Sequence, residues 1–211
     1  MLFQFALTLS VLSTLLPLTL ANFDIYADHY KSWSSTNPQA GGFRIFGGDT
    51  NDPCKYVNKK DYIRWPKRDD VSGEKFGIRC EGSGCDYESA DPNKIDRLEM
   101  HFSNNPLYHW TLYADNVAQK APPLDGRWMF PSEVGPQAPG YCFPYPGDEY
   151  NCEHSAPDGP SGQVFVVGSK GKRLFRCITS IKNVYSDDIN GPKLQGADTY
   201  YPYPDDGKKG N

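Results

Sequence analysis

The chain has 211 residues, and its 22 Lys and Arg against 26 Asp and Glu give a formal net charge of −4. Charges of both signs are interspersed without a long basic stripe, which argues against tight binding of nucleic acid. Gly (20 residues) and Pro (18 residues) are abundant, which favours many turns over long helices.

The chain begins with an apolar segment, residues 2–20, that carries no charged side chain. It ends at Thr19-Leu20-Ala21, a small-x-small pattern that suits cleavage before Asn22. Pro17 interrupts the segment and no basic stop-transfer cluster follows, which argues against a membrane anchor. We therefore predict a signal peptide at residues 1–21 and a secreted, extracellular protein that does not associate with a membrane.

Alternation of apolar and polar residues, the period of half-buried strands, recurs after the leader. The alternating segments are residues 23–26, 43–46, 75–80, 97–102, 108–112, 164–167 and 174–178. The last two flank Gly168-Ser169-Lys170-Gly171-Lys172, a Gly-containing stretch that predicts a hairpin turn. Residues 117–140 hold five prolines and residues 143–163 are rich in Pro, Gly, Asp and Glu, so both are predicted to be loops.

These patterns predict a mainly β fold, a single disulfide-stabilised sandwich or barrel with short antiparallel strands and long Pro/Gly loops. One secreted β domain should cover residues 22–190. Residues 191–211 are polar and lack a hydrophobic pattern, which predicts a flexible C-terminal tail. The protein is expected to be a monomer.

The segment around residues 97–113 permits a prediction of strand register. The Asn104-Asn105-Pro106 turn should fold it into a hairpin. The apolar residues that must share the core face all have even numbers: Leu98, Met100, Phe102, Tyr108, Trp110 and Leu112. Residues that oppose each other on antiparallel strands share a face, so the numbers of an opposed pair must have an even sum. A sum of 210 gives these opposed pairs: Met100 with Trp110, Phe102 with Tyr108, His101 with His109 and Glu99 with Thr111.

Six cysteines follow the leader: Cys54, Cys80, Cys85, Cys142, Cys152 and Cys177. An even number in a secreted chain predicts three disulfides, but sequence alone does not choose the connectivity. Cys142 and Cys152 flank a Pro/Gly-rich stretch and are the best single predicted pair. Cys80 and Cys85 flank the Gly-containing residues 81–84. This short segment could allow a local disulfide, or each of the two cysteines could pair with another cysteine. No C-x2-C pair occurs, so no metal site is predicted.

The most site-like polar constellation is Glu99, His101 and His109. Two imidazoles and a carboxylate on one sheet face could act as acid and base in hydrolysis or transesterification, or bind a divalent metal. The alternative is a solvated polar sheet face without a function. No cofactor is expected.

A second candidate is formed by Tyr141, Phe143 and Tyr145, which stand among prolines. Exposed aromatic rings there could stack on sugars or anchor a protein partner. The alternative is an ordinary β core, which also favours aromatic residues.

Several segments stand out together: Phe23-Asp24-Ile25-Tyr26, Gly77-Ile78-Arg79-Cys80 with Gly82-x-Gly84-Cys85, Met100-His101-Phe102 with Tyr108-His109-Trp110, and Leu174-Phe175-Arg176-Cys177. This combination resembles small secreted cysteine-rich proteins of filamentous fungi. The resemblance implies an extracellular role as an effector that acts on a host or on competing microbes, with a part in virulence. No catalytic residue can be carried over from it.

Residues 158–165, Asp-Gly-Pro-Ser-Gly-Gln-Val-Phe, also loosely resemble the C-terminal half of microbial ribonucleases, which use His, Glu and Arg on a sheet. The strand that ends at Ser180 lacks the histidine which that family places there. This departure argues against an active ribonuclease.

The leading hypothesis is therefore a non-enzymatic, effector-like interaction protein that recognises a host protein or a cell-wall glycan through its loops. One alternative is a secreted hydrolase of ribonuclease-like character, active or inactive, centred on Glu99, His101 and His109. The other is a carbohydrate-binding module that uses Tyr141, Phe143 and Tyr145. An enzyme needs a cleft in which an acid and a base converge, whereas a binding module needs exposed rings.

Overall fold

Strands dominate the computed structural model, which describes residues 21–31, 39–48, 50–57, 64–104, 107–114, 120–121, 126–131, 140–158 and 163–179. Its strands are β1 (Ala21–Lys31), β2 (Gln39–Gly47), β3 (Trp65–Pro66), β4 (Gly77–Gly82), β5 (Ile95–Asn104), β6 (Leu107–Tyr113), β7 (Lys120–Ala121), β8 (Gly126–Trp128), β9 (Phe130–Pro131), β10 (Gly140–Asn151), β11 (His154–Asp158) and β12 (Gln163–Thr179). A short helix, α1 (Cys54–Val57), and two 3-10 helices (Tyr87–Ser89 and Pro92–Lys94) complete these ranges. The predicted signal peptide up to Leu20 and the predicted tail at residues 191–211 lie outside the described residues.

The strands form two sheets in which all paired strands are antiparallel. The larger sheet has the order β3-β2-β1-β12-β10-β8-β7, with β11 paired to β12, and the smaller sheet has the order β4-β5-β6-β9. The predicted mainly β, antiparallel and disulfide-bonded character is thus confirmed. Several strands are longer than expected, since β1 spans 11 residues, β10 spans 12 and β12 spans 17.

Within the described ranges the α-helix is four residues long, and no helix there has the length and apolarity needed to cross a membrane.

Both sheets contribute side chains to one main hydrophobic core. The larger sheet supplies Phe23, Ile25, Ala27, Phe43, Ile45 and Phe175, and the smaller sheet supplies Ile78, Leu98, Met100, Phe102, Trp110 and Leu112. Burial of this apolar area provides the main driving force for folding. A second apolar cluster lies on the opposite face of β1 and β2 and consists of Tyr26, Phe46, Val57, Tyr150 and Cys152.

The predicted register of β5 and β6 is confirmed over most of its length. Glu99 pairs with Thr111, Met100 with Trp110 and His101 with His109. The register then shifts, and Tyr108 pairs with Ser103, so the predicted pair of Phe102 with Tyr108 is wrong. The shift is a β-bulge, which adds one residue to one strand. It leaves Phe102 fully buried against Trp65, with ring centroids 4.5 Å apart.

The predicted hairpin turn at residues 168–172 is wrong, because β12 continues through this segment without reversing. Residues 168–172 pair with β1 instead, from Lys31 to Ala27. Gly168 has a φ of 125°, and a Cβ there would lie 2.5 Å from the carbonyl oxygen of Cys152. The glycine therefore permits a close approach of two backbones within a continuous strand, not a chain reversal.

The predicted loop at residues 143–163 is also mostly wrong, because β10 and β11 occupy much of it. The pairing of β10 with β12 shifts between Pro144 and Gly147 and again between Gly147 and Tyr150. Such register breaks accommodate prolines, which cannot donate a backbone hydrogen bond. The stretch that carries the candidate aromatic residues is therefore a strand.

All six cysteines lie in described residues and form three disulfides, as expected. The pairs are Cys54–Cys152, Cys80–Cys85 and Cys142–Cys177. The predicted pair Cys142–Cys152 is wrong, because the intervening residues form an extended strand that holds the two sulfurs apart. Cys142 faces the main core and is the direct register partner of Cys177, whereas Cys152 belongs to the second apolar cluster.

Candidate functional site

The polar candidate residues Glu99, His101 and His109 lie together on the face of the smaller sheet that points away from the main core. The imidazoles of His101 and His109 are stacked, with centroids 4.4 Å apart and planes 8° apart. His109 Nε2 lies 2.9 Å from Glu99 Oε1. The register prediction thus brought together three residues that are in fact neighbours.

His101 is almost completely buried, at 1% exposure. Its Nδ1 lies 2.7 Å from the carbonyl oxygen of Val71, and its Nε2 lies 2.8 Å from Asn104 Oδ1. The Asn104 amide in turn donates to the Gly73 carbonyl and to Glu74. Both ring nitrogens are therefore engaged in fastening residues 71–74 to the end of β5.

Glu99 and His109 border a network of alternating charges on β4 and β5. Arg79 lies between Glu81 and Glu99, with Nη2 2.5 Å from Glu81 Oε1 and Nη1 3.6 Å from Glu99 Oε2. Arg97 donates to both carboxylate oxygens of Glu81. These hydrogen bonds hold the pKa of Glu81 below its usual value. The charges on this face are thus largely matched to one another.

The aromatic candidates form a row of rings on the outer face of the larger sheet, which we call the aromatic ladder. It consists of Trp128 on β8 and Tyr141, Phe143 and Tyr145 on β10. Successive ring centroids are 5.8, 6.5 and 5.6 Å apart. Alternate residues of a strand share a face, and Trp128 joins the row because it pairs directly with Tyr141.

The ladder remains accessible to solvent. Tyr145 is 38% exposed, and the other three rings are partly buried. Cys142, between Tyr141 and Phe143 in the chain, points into the main core, which fixes the two rings on the opposite face. The planes of neighbouring rings are inclined to each other by 72°, 37° and 71°, so the four rings do not form a flat surface.

Two arginines of β12 pack against the last ring of the ladder. The guanidinium carbons of Arg173 and Arg176 lie 4.1 and 4.5 Å from the centroid of Tyr145. Arg173 Nε also donates to the Tyr145 carbonyl at 2.9 Å. Such cation–π contacts, reinforced by a backbone hydrogen bond, hold the position of the ring.

One buried carboxylate holds both arginines. Asp24 on β1 is 3% exposed and accepts two hydrogen bonds from Arg176 at 2.7 Å each and one from Arg173 at 3.2 Å. The hydrogen bonds that Arg176 donates to Asp24 raise the pKa of Arg176 above its usual value. Arg173 Nη1 also lies 2.6 Å from Oδ2 of Asp148, an exposed residue of β10. We call Asp24, Arg173, Arg176 and Asp148 the arginine cluster.

Sequence reasoning found three rings of the ladder but missed Trp128 and the arginine cluster. Alternation at 141, 143 and 145 is visible in the sequence, whereas Trp128 and Asp24 reach the site only through strand pairing. In the ranges that the structure describes, no group of three His, Cys, Asp or Glu residues is arranged to hold a metal ion.

Comparison of the chain with models of known protein families, with curated proteins and with solved structures yields no match.

Proposed function

We propose that this protein is a secreted, non-catalytic, effector-like binding protein whose aromatic ladder recognises a linear glycan. The observation that carries the proposal is the row of four partly exposed rings on one sheet face. A mainly β domain otherwise turns its aromatic side chains into the core, as Phe23, Phe43 and Phe175 do here. Rings left at the surface in a row form a stacking surface for a ligand.

The shape of the ladder favours a chain-like ligand over a broad protein surface. Hot spots in protein interfaces cluster at the centre of a patch, with a ring of other contacts around them. Here the rings stand in single file, and Arg176 and Asp24 border the row on β12 and β1. The apolar C–H faces of successive sugar rings suit such a file, because each can lie against one aromatic side chain.

The contacts that hold the rings in place also favour glycan binding. Tyr145 packs against Arg173 and Arg176, and Tyr141 and Phe143 lie where β10 pairs directly with β12. Rings that are already fixed lose little side-chain entropy when a ligand binds. The three disulfides are consistent with the extracellular setting in which such a ligand occurs.

A glycan array followed by calorimetry tests the proposal. The Tyr141→Ala and Phe143→Ala variants should each weaken binding of the selected glycan about fivefold, since one ring contact contributes about 1 kcal/mol. Tyr113→Ala is the matched control, because Tyr113 is 40% exposed but lies on β6 of the other sheet. Equal loss in all three variants, or an array without any binding, would contradict the proposal.

A second candidate function is acid–base catalysis by Glu99 and His109. The specific observation is their 2.9 Å contact, with the Arg79 guanidinium close to the same carboxylate. Hydrolysis of RNA by the purified protein is the direct measurement. Activity that disappears in Glu99→Gln but persists in Tyr141→Ala would favour this function over glycan binding.

A further inference from the structure

We propose, on the basis of the glycan-binding function above, that the ligand of the aromatic ladder is an acidic glycan whose uronic-acid carboxylate binds at Arg173 and Arg176, where it replaces Asp148.

The arginine cluster has more positive than buried negative charge. Arg173 and Arg176 are two guanidinium groups, and both bond to the single buried carboxylate of Asp24. Among the described residues, no second buried carboxylate bonds to these two guanidinium groups. The other carboxylate of the cluster is that of Asp148, whose side chain is 71% exposed. Exposed ion pairs contribute little to stability, so this partner can exchange with a ligand carboxylate.

The backbone at Asp148 supports the view that this contact is replaceable. Asp148 has a φ of 50°, and within the described ranges no other non-glycine residue has a positive φ. Asp148 follows Gly147, which also has a positive φ, and it lies in the register shift of β10 between Gly147 and Tyr150. Left-handed backbone at a non-glycine residue carries strain, which often marks binding sites. Asp148 has no register partner on β12, so its carboxylate can be released without disturbing the paired residues of β10.

Arg176 has a hydrogen-bond donor beside the ladder that no described residue uses. Arg176 pairs directly with Phe143 across β10 and β12, and its side chain is 23% exposed. Its Nε and Nη2 are occupied by Asp24 and the Gly48 carbonyl. Among the described residues, none accepts a hydrogen bond from Arg176 Nη1. The donor and the ladder therefore can contact the same ligand.

These features define the chemistry of the ligand. The aromatic ladder fits a ligand with a linear series of apolar ring faces. The arginine cluster fits an anionic oxygen of the same ligand next to those rings. A carboxylate oxygen suits this position, because a charge-assisted hydrogen bond from a guanidinium is about twice as strong as a hydrogen bond between neutral groups. A chain of uronic acids carries both groups in every unit, whereas a neutral glycan lacks the carboxylate and an acidic peptide lacks the sugar ring.

Binding measurements with three defined probes test the inference: an oligogalacturonate, its fully methyl-esterified form, and poly-L-glutamate. Calorimetry on the full mature protein should show binding of the oligogalacturonate. The methyl ester keeps the rings but removes the charge, and it should bind at least about tenfold more weakly, because charge-assisted hydrogen bonds are lost. Poly-L-glutamate keeps the charge without sugar rings and should not bind measurably at the same concentrations.

The Asp148→Asn variant supplies an independent readout. It removes the internal carboxylate that competes for Arg173, so affinity for the oligogalacturonate should rise by up to about fivefold. Glu149→Gln is the matched control, because it removes the same charge from the next residue of β10. The Glu149 side chain is 63% exposed and contacts Lys172 instead of Arg173. The affinity of this variant should stay close to that of the parent protein.

The possible outcomes separate this inference from the function on which it rests. Equal binding of the free acid and the methyl ester would overturn the acidic ligand and leave glycan binding intact. Binding of a neutral glycan with no response to oligogalacturonate would do the same. Poly-L-glutamate binding as tight as that of the oligogalacturonate, or an Asp148→Asn variant with unchanged or weaker affinity, would also overturn it. A protein that binds no glycan at all would overturn both proposals.

Discussion

Arg176 and Asp24 face each other across β12 and β1 and make two parallel hydrogen bonds of 2.7 Å. Because Asp24 is 3% exposed and also accepts from Arg173, its removal would leave two guanidinium groups without their buried partner. We predict that Asp24→Asn lowers the free energy of unfolding by about 3–5 kcal/mol, the usual effect of breaking a buried ion pair. Urea denaturation monitored by tryptophan fluorescence measures this change.

Asp148→Asn is the control for this prediction, since it removes a carboxylate from the same arginines at an exposed position. It should change the free energy of unfolding by less than about 1 kcal/mol. If both variants lower the free energy of unfolding by the same amount, the contribution of Asp24 to stability does not depend on its burial.

The three disulfides should differ in their contribution to stability according to the loops they close. The sequence separations are 98 residues for Cys54–Cys152, 35 for Cys142–Cys177 and 5 for Cys80–Cys85. In the chain-entropy description their removal costs about 4.7, 3.8 and 2.2 kcal/mol, respectively. Paired Cys→Ser variants, compared by their urea midpoints, should follow this order. A Cys80→Ser/Cys85→Ser protein less stable than the other two would contradict it.

Sequence patterns located β4, β5 and β6 of the smaller sheet well, because their information is local, whereas β9 lies in the segment 117–140 that was predicted to be a loop. Even-numbered apolar residues on β5 and β6 specify which face is buried, and a one-residue slip would expose Met100 and Trp110. The bulge at Phe102 was not predictable in this way, since it depends on the fit of that ring against Trp65, which is remote in sequence.

The prediction failed at β10 and β12 for a related reason. Gly168 carries a turn signal, but its neighbours pair with β1, whose partner strands cannot be inferred from local periodicity. The same holds for Cys142, whose partner is decided by the register of β10 with β12. The ladder was found because its rings alternate along one strand, whereas Trp128 and Asp24 join the site from other strands.

His101 has a structural role, according to its contacts, and this leads to a prediction. Its imidazole bonds to the Val71 carbonyl and to Asn104, which binds Gly73 and Glu74. His101→Ala should therefore lower the free energy of unfolding by about 2–4 kcal/mol through a cavity and an unpaired buried carbonyl. Amide hydrogen exchange should also accelerate locally at residues 71–75.

Leu107→Ala is a suitable comparison, because Leu107 lies on β6 close to His109 but is 41% exposed. Such a surface change should alter stability by less than about 0.5 kcal/mol. Unchanged exchange at residues 71–75 in the His101→Ala protein would show that this segment is held by other contacts.

Tyr26 gives the fold a dependence on alkaline pH. Its ring lies in the second apolar cluster against Phe46 and Tyr150, and burial raises the pKa of Tyr26 from 10.0 to about 12. Nearby Asp24 raises it further, whereas Arg173 opposes the shift. Because the folded protein retains this proton to higher pH than the unfolded chain, the associated stability is complete below pH 10 and is lost as the pH rises towards about 12.

The size of this effect is on the order of 2 kcal/mol, and Tyr26→Phe removes the hydroxyl that titrates. We therefore expect the difference in free energy of unfolding between the parent protein and Tyr26→Phe to be constant up to pH 10 and then to shift in favour of the variant. Urea denaturation at pH 9, 10 and 11 on both proteins measures it, and the remaining tyrosines affect both equally. Parallel stability curves across this range would mean that Tyr26 ionises as readily in the fold as in the unfolded chain, against the burial seen beside Phe46.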